Sequence, residues 1–331
     1  MARRKFLDAP EATLTMIERM EEGTNRPIFV VGSPRSGTSI LTWCLGQHPN
    51  IFPVPESSWM GDFAANLAIS YQVGAARGDY SVLSAMDVNR DEFFASFGKT
   101  INDLMINHRP DLERRREKNP SMSAFRKFVD PASPSAPKMR WADGTPEYSL
   151  HIYGLRKLFP RAQFIHVFRD AQSVVRSMIN FHRVAGIHLV ANAEEAYRYW
   201  IRTVKGCLTA ERAFGPTVVY RVRYAELVRN PESTMQSLLG FLDEPYAASC
   251  LEPLAHRINS SEVPADFKCD DRATDPAVIR KGMRLCAEVE EIPQSTEVSP
   301  AAMDELETAF QQRIERMAPP WVSVAKAPVD S

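Results

Sequence analysis

Residues 27–39 read Pro27-Ile28-Phe29-Val30-Val31-Gly32-Ser33-Pro34-Arg35-Ser36-Gly37-Thr38-Ser39, and the fold is decided there. Ile28 to Val31 is a short apolar run with β-branched residues, suited to a strand buried on both faces. Gly32 to Gly37 is a tight loop bounded by two glycines. Thr38 and Ser39 then open an amphipathic helix that ends at Gly46. Strand, glycine-bounded loop and helix N-terminus make an anion cradle, because loop N–H groups point inward and the helix dipole adds partial positive charge. The spacing Gly32-x4-Gly37 is that of a P-loop, with Thr38 standing where a nucleotide triphosphatase carries its lysine. That lysine reaches the β- and γ-phosphates. Arg35 lies inside the loop instead, and a planar guanidinium suits an oxyanion with several equivalent oxygens. The loop therefore fits a phosphate or sulfate ester better than a triphosphate.

Charge and composition narrow the classes. The 331 residues carry 40 Lys and Arg against 41 Asp and Glu, a formal net charge of −1, which speaks against wholesale nucleic-acid binding. Cys44, Cys207, Cys250, Cys269 and Cys286 are odd in number and widely spaced, with neither a metal-ligand pattern nor a disulfide framework. Free thiols in a reducing compartment are the simplest account. No apolar stretch approaches membrane-spanning length, and Arg3-Arg4-Lys5 is not followed by the apolar core of a signal peptide. A soluble cytoplasmic enzyme is expected.

Along the chain, residues 8–22 read as a helix with Asp8 as N-cap. Ile51-Phe52-Pro53-Val54 reads as extended, and Glu56 follows. Residues 57–72 and 91–108 have helical spacing, 110–118 form a charged solvated face, and 130–138 a Pro/Ser-rich loop. Thr145 and Pro146 open a helix to about Phe159. Phe164 to Phe168 is a strand followed by a helix from Ala171 to Phe181. A long helix spans 193–214, Thr217 to Tyr220 is a strand, and helices follow at Tyr224–Leu227 and Pro231–Leu242. Residues 258–298 are polar and weakly patterned, and are expected to be a flap. Residues 301–317 form a last amphipathic helix. The expected architecture is one α/β domain over 1–331, a P-loop-type, mostly parallel sheet flanked by helices, with an inserted helical segment at 57–140 and a C-terminal helix.

A second candidate anion site is Phe168-Arg169-Asp170 with Ser177. Arg169 falls at the carboxyl end of a strand, where open α/β sheets bind ligands. Ser177, about two helical turns further on, is placed to share an anion with it. The alternative is an arginine that merely pairs with Asp170.

Val31 to Ser39, followed by His48-Pro49-Asn50, resembles the 5′-phosphosulfate loop of the sulfotransferases that use 3′-phosphoadenosine 5′-phosphosulfate (PAPS). It is most similar to the bacterial branch related to tyrosylprotein sulfotransferases. The likeness extends over about 27–242, through Leu158-Phe159-Pro160 and Val222-Arg223-Tyr224-Ala225-Glu226-Leu227 with Asn230-Pro231. It implies that Pro34, Arg35, Ser36, Gly37, Thr38 and Ser39 hold the 5′-phosphosulfate, Arg169 and Ser177 the 3′-phosphate, and that Tyr224 stacks near the adenine. It also implies that Glu56, twenty-one residues beyond Arg35, is the general base for a hydroxyl acceptor. A helix cap is the plainer role for Glu56. His108 and His151 are the other candidate bases.

One departure from the family pattern is Gly144, where many relatives carry a lysine before the Thr-Pro pair. The missing leaving-group cation then falls to Arg35 alone, or to Arg140 or Lys138. The expected function is transfer of the sulfuryl group from PAPS to a hydroxyl, releasing PAP, with no metal, no nucleic acid and no membrane span. One alternative is a P-loop phosphotransferase using a nucleotide triphosphate, against which stand Thr38 and the lack of a convincing Mg²⁺ carboxylate after a strand. The other is a non-catalytic nucleotide-binding relative, to which Gly144 lends weight. The acceptor and the oligomeric state are not written in the motifs. Trp59, Met60, Phe63, Phe93 and Phe97 suit either an apolar acceptor wall or a core.

Overall fold

The computed structural model describes residues 26–118, 138–255, 263, 273–294 and 296–319. The helix expected at 8–22 and nearly all of the loop expected at 130–138 lie outside them.

Alternation builds the centre. In strand β1, Ile28–Gly32, every residue is buried. Phe29 and Val31 point to one face, where Phe29 stacks on Phe164 at 5.3 Å and meets Trp141 edge-on at 5.5 Å. Ile28 and Val30 point to the other, against Leu41, Leu45, Leu238 and Leu239. Helix α1, Thr38–Gly46, follows the loop, and β2, Ile51–Val54, follows α1. Helices α2, Met60–Gly74, and α3, Arg90–Lys118, then lead towards β3, Arg140–Asp143. Beyond β3 come a 3-10 turn at Pro146–Leu150 and helix α4, Ile152–Leu158. The second half runs β4, Gln163–Phe168; α5, Ala171–Ile179; α6, Ala193–Phe214; and β5, Val219–Arg223. Helices α7, Tyr224–Arg229; α8, Pro231–Phe241; α9, Pro276–Glu291; and α10, Pro300–Met317, complete it.

The five strands form one sheet in the order β2-β3-β1-β4-β5, and every neighbouring pair is parallel. All strand carboxyl ends therefore share one edge, where β1, β3 and β4 deliver their loops side by side.

Four expectations are corrected. Residues 140–143 are a strand of the sheet, so the inserted segment is the crossover between β2 and β3 and ends before Arg140. The helix expected from Thr145 begins instead as the 3-10 turn, because Thr145 gives its hydroxyl to Asp143 and not to a helix N-terminus. The strand expected at Thr217–Tyr220 lies later, as β5 at Val219–Arg223. The segment expected as a flap contains α9, whose Val278, Leu285, Cys286 and Val289 pack on Tyr197, Trp200 and Ile201 of α6. These apolar positions are separated by charged residues, which dilutes the pattern in sequence while one helical face stays continuous.

Candidate active site

The loop from Ser33 to Gly37 is shaped by two positive φ angles, 72° at Arg35 and 111° at Gly37. These turn successive N–H groups towards one concave side, as an anion nest requires. Gly37 precedes α1 as its N-cap. A Cβ there would lie 2.6 Å from the Tyr224 ring, so the loop and the start of α7 touch at a point only glycine permits. The Ser36 hydroxyl is buried and has no hydrogen-bond partner. A bound oxyanion in the nest would give it one, which fits a donor phosphosulfate.

Arg35 joins the parts. Its Nε donates to Ser177 Oγ at 3.1 Å, and its guanidinium lies 4.7 Å from the Phe181 ring centre. Burial first, then the neighbouring charge of Arg169, lowers its pKa, and Glu56 opposes both. Arg169 Nη1 donates to Arg35 O at 3.4 Å, and its guanidinium sits 4.5 Å above the Tyr224 ring. Asp170 does not neutralise it: the Asp170 side chain accepts from Ser173 N at 2.8 Å and caps α5. The two expected anion sites are thus neighbours. Tyr224 lies between the loop glycine and the strand-end arginine.

Glu56 follows β2 and stays open to solvent. It is not a helix cap, since Trp59 holds the N-cap position of α2 and makes no side-chain cap bond. Partial desolvation by the surrounding protein, then the charges of Glu147 and Asp143, pushes its carboxyl up to about 7, with Arg35 pulling the other way. The turn carrying it is fixed by Tyr148, whose hydroxyl bonds to Ser57 Oγ and accepts from Met60 N at 2.9 Å. Glu147 is held in turn by Tyr199, which donates to Oε1 at 2.8 Å.

Arg140 is corrected. It stands at the amino end of β3, the opposite edge of the sheet, paired in register with Ile51. It donates to Arg26 O, Leu242 O, Glu244 Oε1 and Gln163 Oε1 at 2.7–2.9 Å. It is an internal strut with no path to the donor loop. Lys138 is buried with its Nζ on Gly46 O at 2.6 Å. Gly144 has no room for a longer residue: a Cβ would meet Thr42 Oγ1 at 2.4 Å, and that hydroxyl is bonded to Thr38 O. Arg35 and Arg169 are cations that the described residues bring to the loop.

A carboxylate does follow a strand beside β1. Asp143, opposite Phe29, is wholly buried, but its Oδ1 is taken by Thr145 N at 2.8 Å and Thr145 Oγ1 at 2.6 Å. His108 is exposed on α3 beside Asp111. The His151 ring packs against Gly61, and burial, then Arg313, pushes it down to about 4. The sequence reading missed Asp143, Glu147, Tyr148, Tyr199 and Phe181. Only the Thr-Pro pair beside Asp143 and Glu147 marked their neighbourhood.

The parallel sheet with its glycine-bounded loop at the carboxyl edge of β1 is a P-loop-type α/β fold. The profile described as "Sulfotransferase family" matches residues 27–248. The chain belongs to that family. It is 24% identical over 232 residues to protein-tyrosine sulfotransferase A of Caenorhabditis elegans, covering 69% of this chain and 53% of that one. It is 25% identical over 224 residues to protein-tyrosine sulfotransferase 1 of Danio rerio, covering 66% and 53%. The matched region thus spans about half the length of these two relatives. Among solved structures, a sulfotransferase of Mycobacterium avium aligns with a TM-score of 0.43 at 17% identity, covering 87% of this chain and 82% of that one. No helix among the described residues is long and apolar enough to cross a membrane.

Proposed function

We propose that the protein transfers the sulfuryl group of PAPS to a hydroxyl, with Glu56 as general base and with Arg35, Arg169, Ser177 and the 34–39 loop holding the donor. The observation that carries this reading is that Arg35, bonded to Ser177 and to Arg169 through its carbonyl, also feels the charge of Glu56, whose carboxyl is raised to about 7. The acceptor oxygen attacks sulfur in line. A new S–O bond forms as the bond to the 5′-phosphate oxygen breaks, PAP leaves with the electron pair, and the hydroxyl proton passes to Glu56. Arg35 and the loop N–H groups meet the negative charge that grows on the sulfuryl and leaving oxygens. Tyr224 packs against Gly37 and carries Arg169 on its ring, beside the donor loop.

The phosphotransferase reading needs Mg²⁺ and a triphosphate. Calorimetry with PAP, and with ATP and Mg²⁺, separates the two: PAP binding that excess ATP–Mg²⁺ does not displace supports the sulfotransferase. Transfer of label from PAPS to a nitrophenol then distinguishes an enzyme from a non-catalytic binder. ATP–Mg²⁺ binding in preference to PAP overturns the proposal.

A further inference from the structure

The aromatic residues of the inserted segment divide in the structure. Met60 is fully buried, whereas Trp59 is 44% and Phe97 39% exposed, with Phe63 and Phe93 half-buried. The four rings form a row. Trp59 meets Phe63 at 5.6 Å, Phe63 meets Phe97 at 6.2 Å, and Phe97 meets Phe93 at 5.1 Å. Single exposed aromatics are ordinary, whereas contiguous exposed apolar surface marks sites of interaction or ligand binding.

The row starts on the turn that carries Glu56. Ser57 Oγ and Met60 N both bond to the Tyr148 hydroxyl, and Ser58 N reaches Thr145 Oγ1 at 3.4 Å. Glu56 and Trp59, both open to solvent, are therefore held in a fixed relation. Among the described residues, Asp62 beside the row pairs with Arg313, and Lys99 with Asp103. The rings themselves offer apolar contact, which does not select an ionic partner.

We propose that Trp59, Phe63 and Phe97 form the acceptor-binding strip, and that the acceptor is an uncharged alcohol with an extended apolar body. Its hydroxyl sits at Glu56 and its body lies along the rings. Trp59 and Phe97 are then specificity-determining residues. The proposal rests on the reading of Glu56 as the base for sulfuryl transfer.

The test uses the full chain and a series of 4-alkylphenols of increasing chain length, with PAP present. Binding is followed by calorimetry, and transfer from labelled PAPS is measured in parallel. Affinity should rise about fourfold for each added methylene that the strip covers. Trp59→Ala and Phe97→Ser should each flatten that gradient, weakening the longest phenol tenfold or more and unsubstituted phenol less than threefold. Phe97→Leu should restore part of it, and PAP affinity reports that each variant is folded. A flat series in wild type, or an unchanged gradient in both alanine and serine variants, overturns the proposal. So does self-association that Trp59→Ala abolishes, with no dependence on chain length, since the strip would then belong to a second copy. Chain-length-dependent binding with no sulfuryl transfer to any phenol overturns the catalytic reading and leaves the strip assigned.

Discussion

Glu56 is held beside two other carboxylates, Glu147 and Asp143, with Arg35 as the opposing cation. A carboxyl raised to about 7 keeps its proton until neutral pH, and turnover should climb through that value as the base is freed. Glu56→Gln preserves shape and removes basicity. Turnover should fall roughly 10²–10⁴-fold, with PAP affinity little changed and the acid limb near pH 7 gone from the rate profile. The loss should shrink for acidic nitrophenols, which need less help in losing a proton. The sign for stability is opposite. A carboxyl whose folded pKa is raised contributes most below its unfolded pKa, and that contribution is lost as pH rises through about 7. Above pH 7 the variant should therefore melt no lower than wild type. Arg169 makes a separate prediction. Arg169→Ala should weaken PAP by about 1.5–3 kcal/mol, the range for a hydrogen bond to a charged group. An analogue lacking the 3′-phosphate should bind almost as before; equal losses for both ligands remove Arg169 from that role.

At the scale of elements, the strand–loop–helix unit was legible because its signal is local: an apolar run, two glycines at P-loop spacing, and a helix opening directly after. Arg169 and Ser177, which the structure brings to Arg35, lie on a strand end and helix that were legible for the same reason. The rest of the site is assembled from segments distant in sequence, and its logic is packing. β3 was missed because Arg140-Trp141-Ala142-Asp143 is short and carries charge at both ends, Arg140 satisfied by residues distant in sequence and Asp143 by Thr145 in the turn that follows. Without β3, Arg140 had no assigned edge of the sheet, and its charge suggested a ligand where the fold needed a strut. The loop and α7 meet at Gly37, which gives the test at this scale. Gly37→Ala places a methyl group in the Tyr224 ring and a side chain at φ 111°. It should cost about 1–3 kcal/mol of stability and weaken PAP, because the ring it displaces carries Arg169. Unchanged PAP affinity in a folded Gly37→Ala protein removes that coupling.

Across the whole molecule, one polar network behind the sheet ties its second half together. His166 Nδ1 of β4 lies 2.5 Å from Glu211 Oε1 of α6, and Arg221 of β5 reaches both Glu211 oxygens and the carbonyl of Ile292. Burial alone would raise the Glu211 pKa, but His166 and Arg221 outweigh it and hold it low. Its contribution to stability is thus present at neutral pH and lost as pH falls below the ordinary carboxyl value of 4.5. Glu211→Gln strands a buried arginine and should cost about 3–5 kcal/mol in urea unfolding at pH 7. The gap to wild type should narrow in acid; a constant gap rules the network out as the source. The sheet order has a consequence for how the chain is made. β1 lies in the middle, and both its neighbours, Arg140–Asp143 and Gln163–Phe168, lie far downstream. As the chain leaves the ribosome, Ile28-Phe29-Val30-Val31 emerges ahead of both its partners and stays unpaired while the crossover to β3 is translated. A nascent chain of this topology carries a wholly apolar strand bare over that stretch, and its yield in the cell depends on how well the strand is sheltered until β3 and β4 arrive.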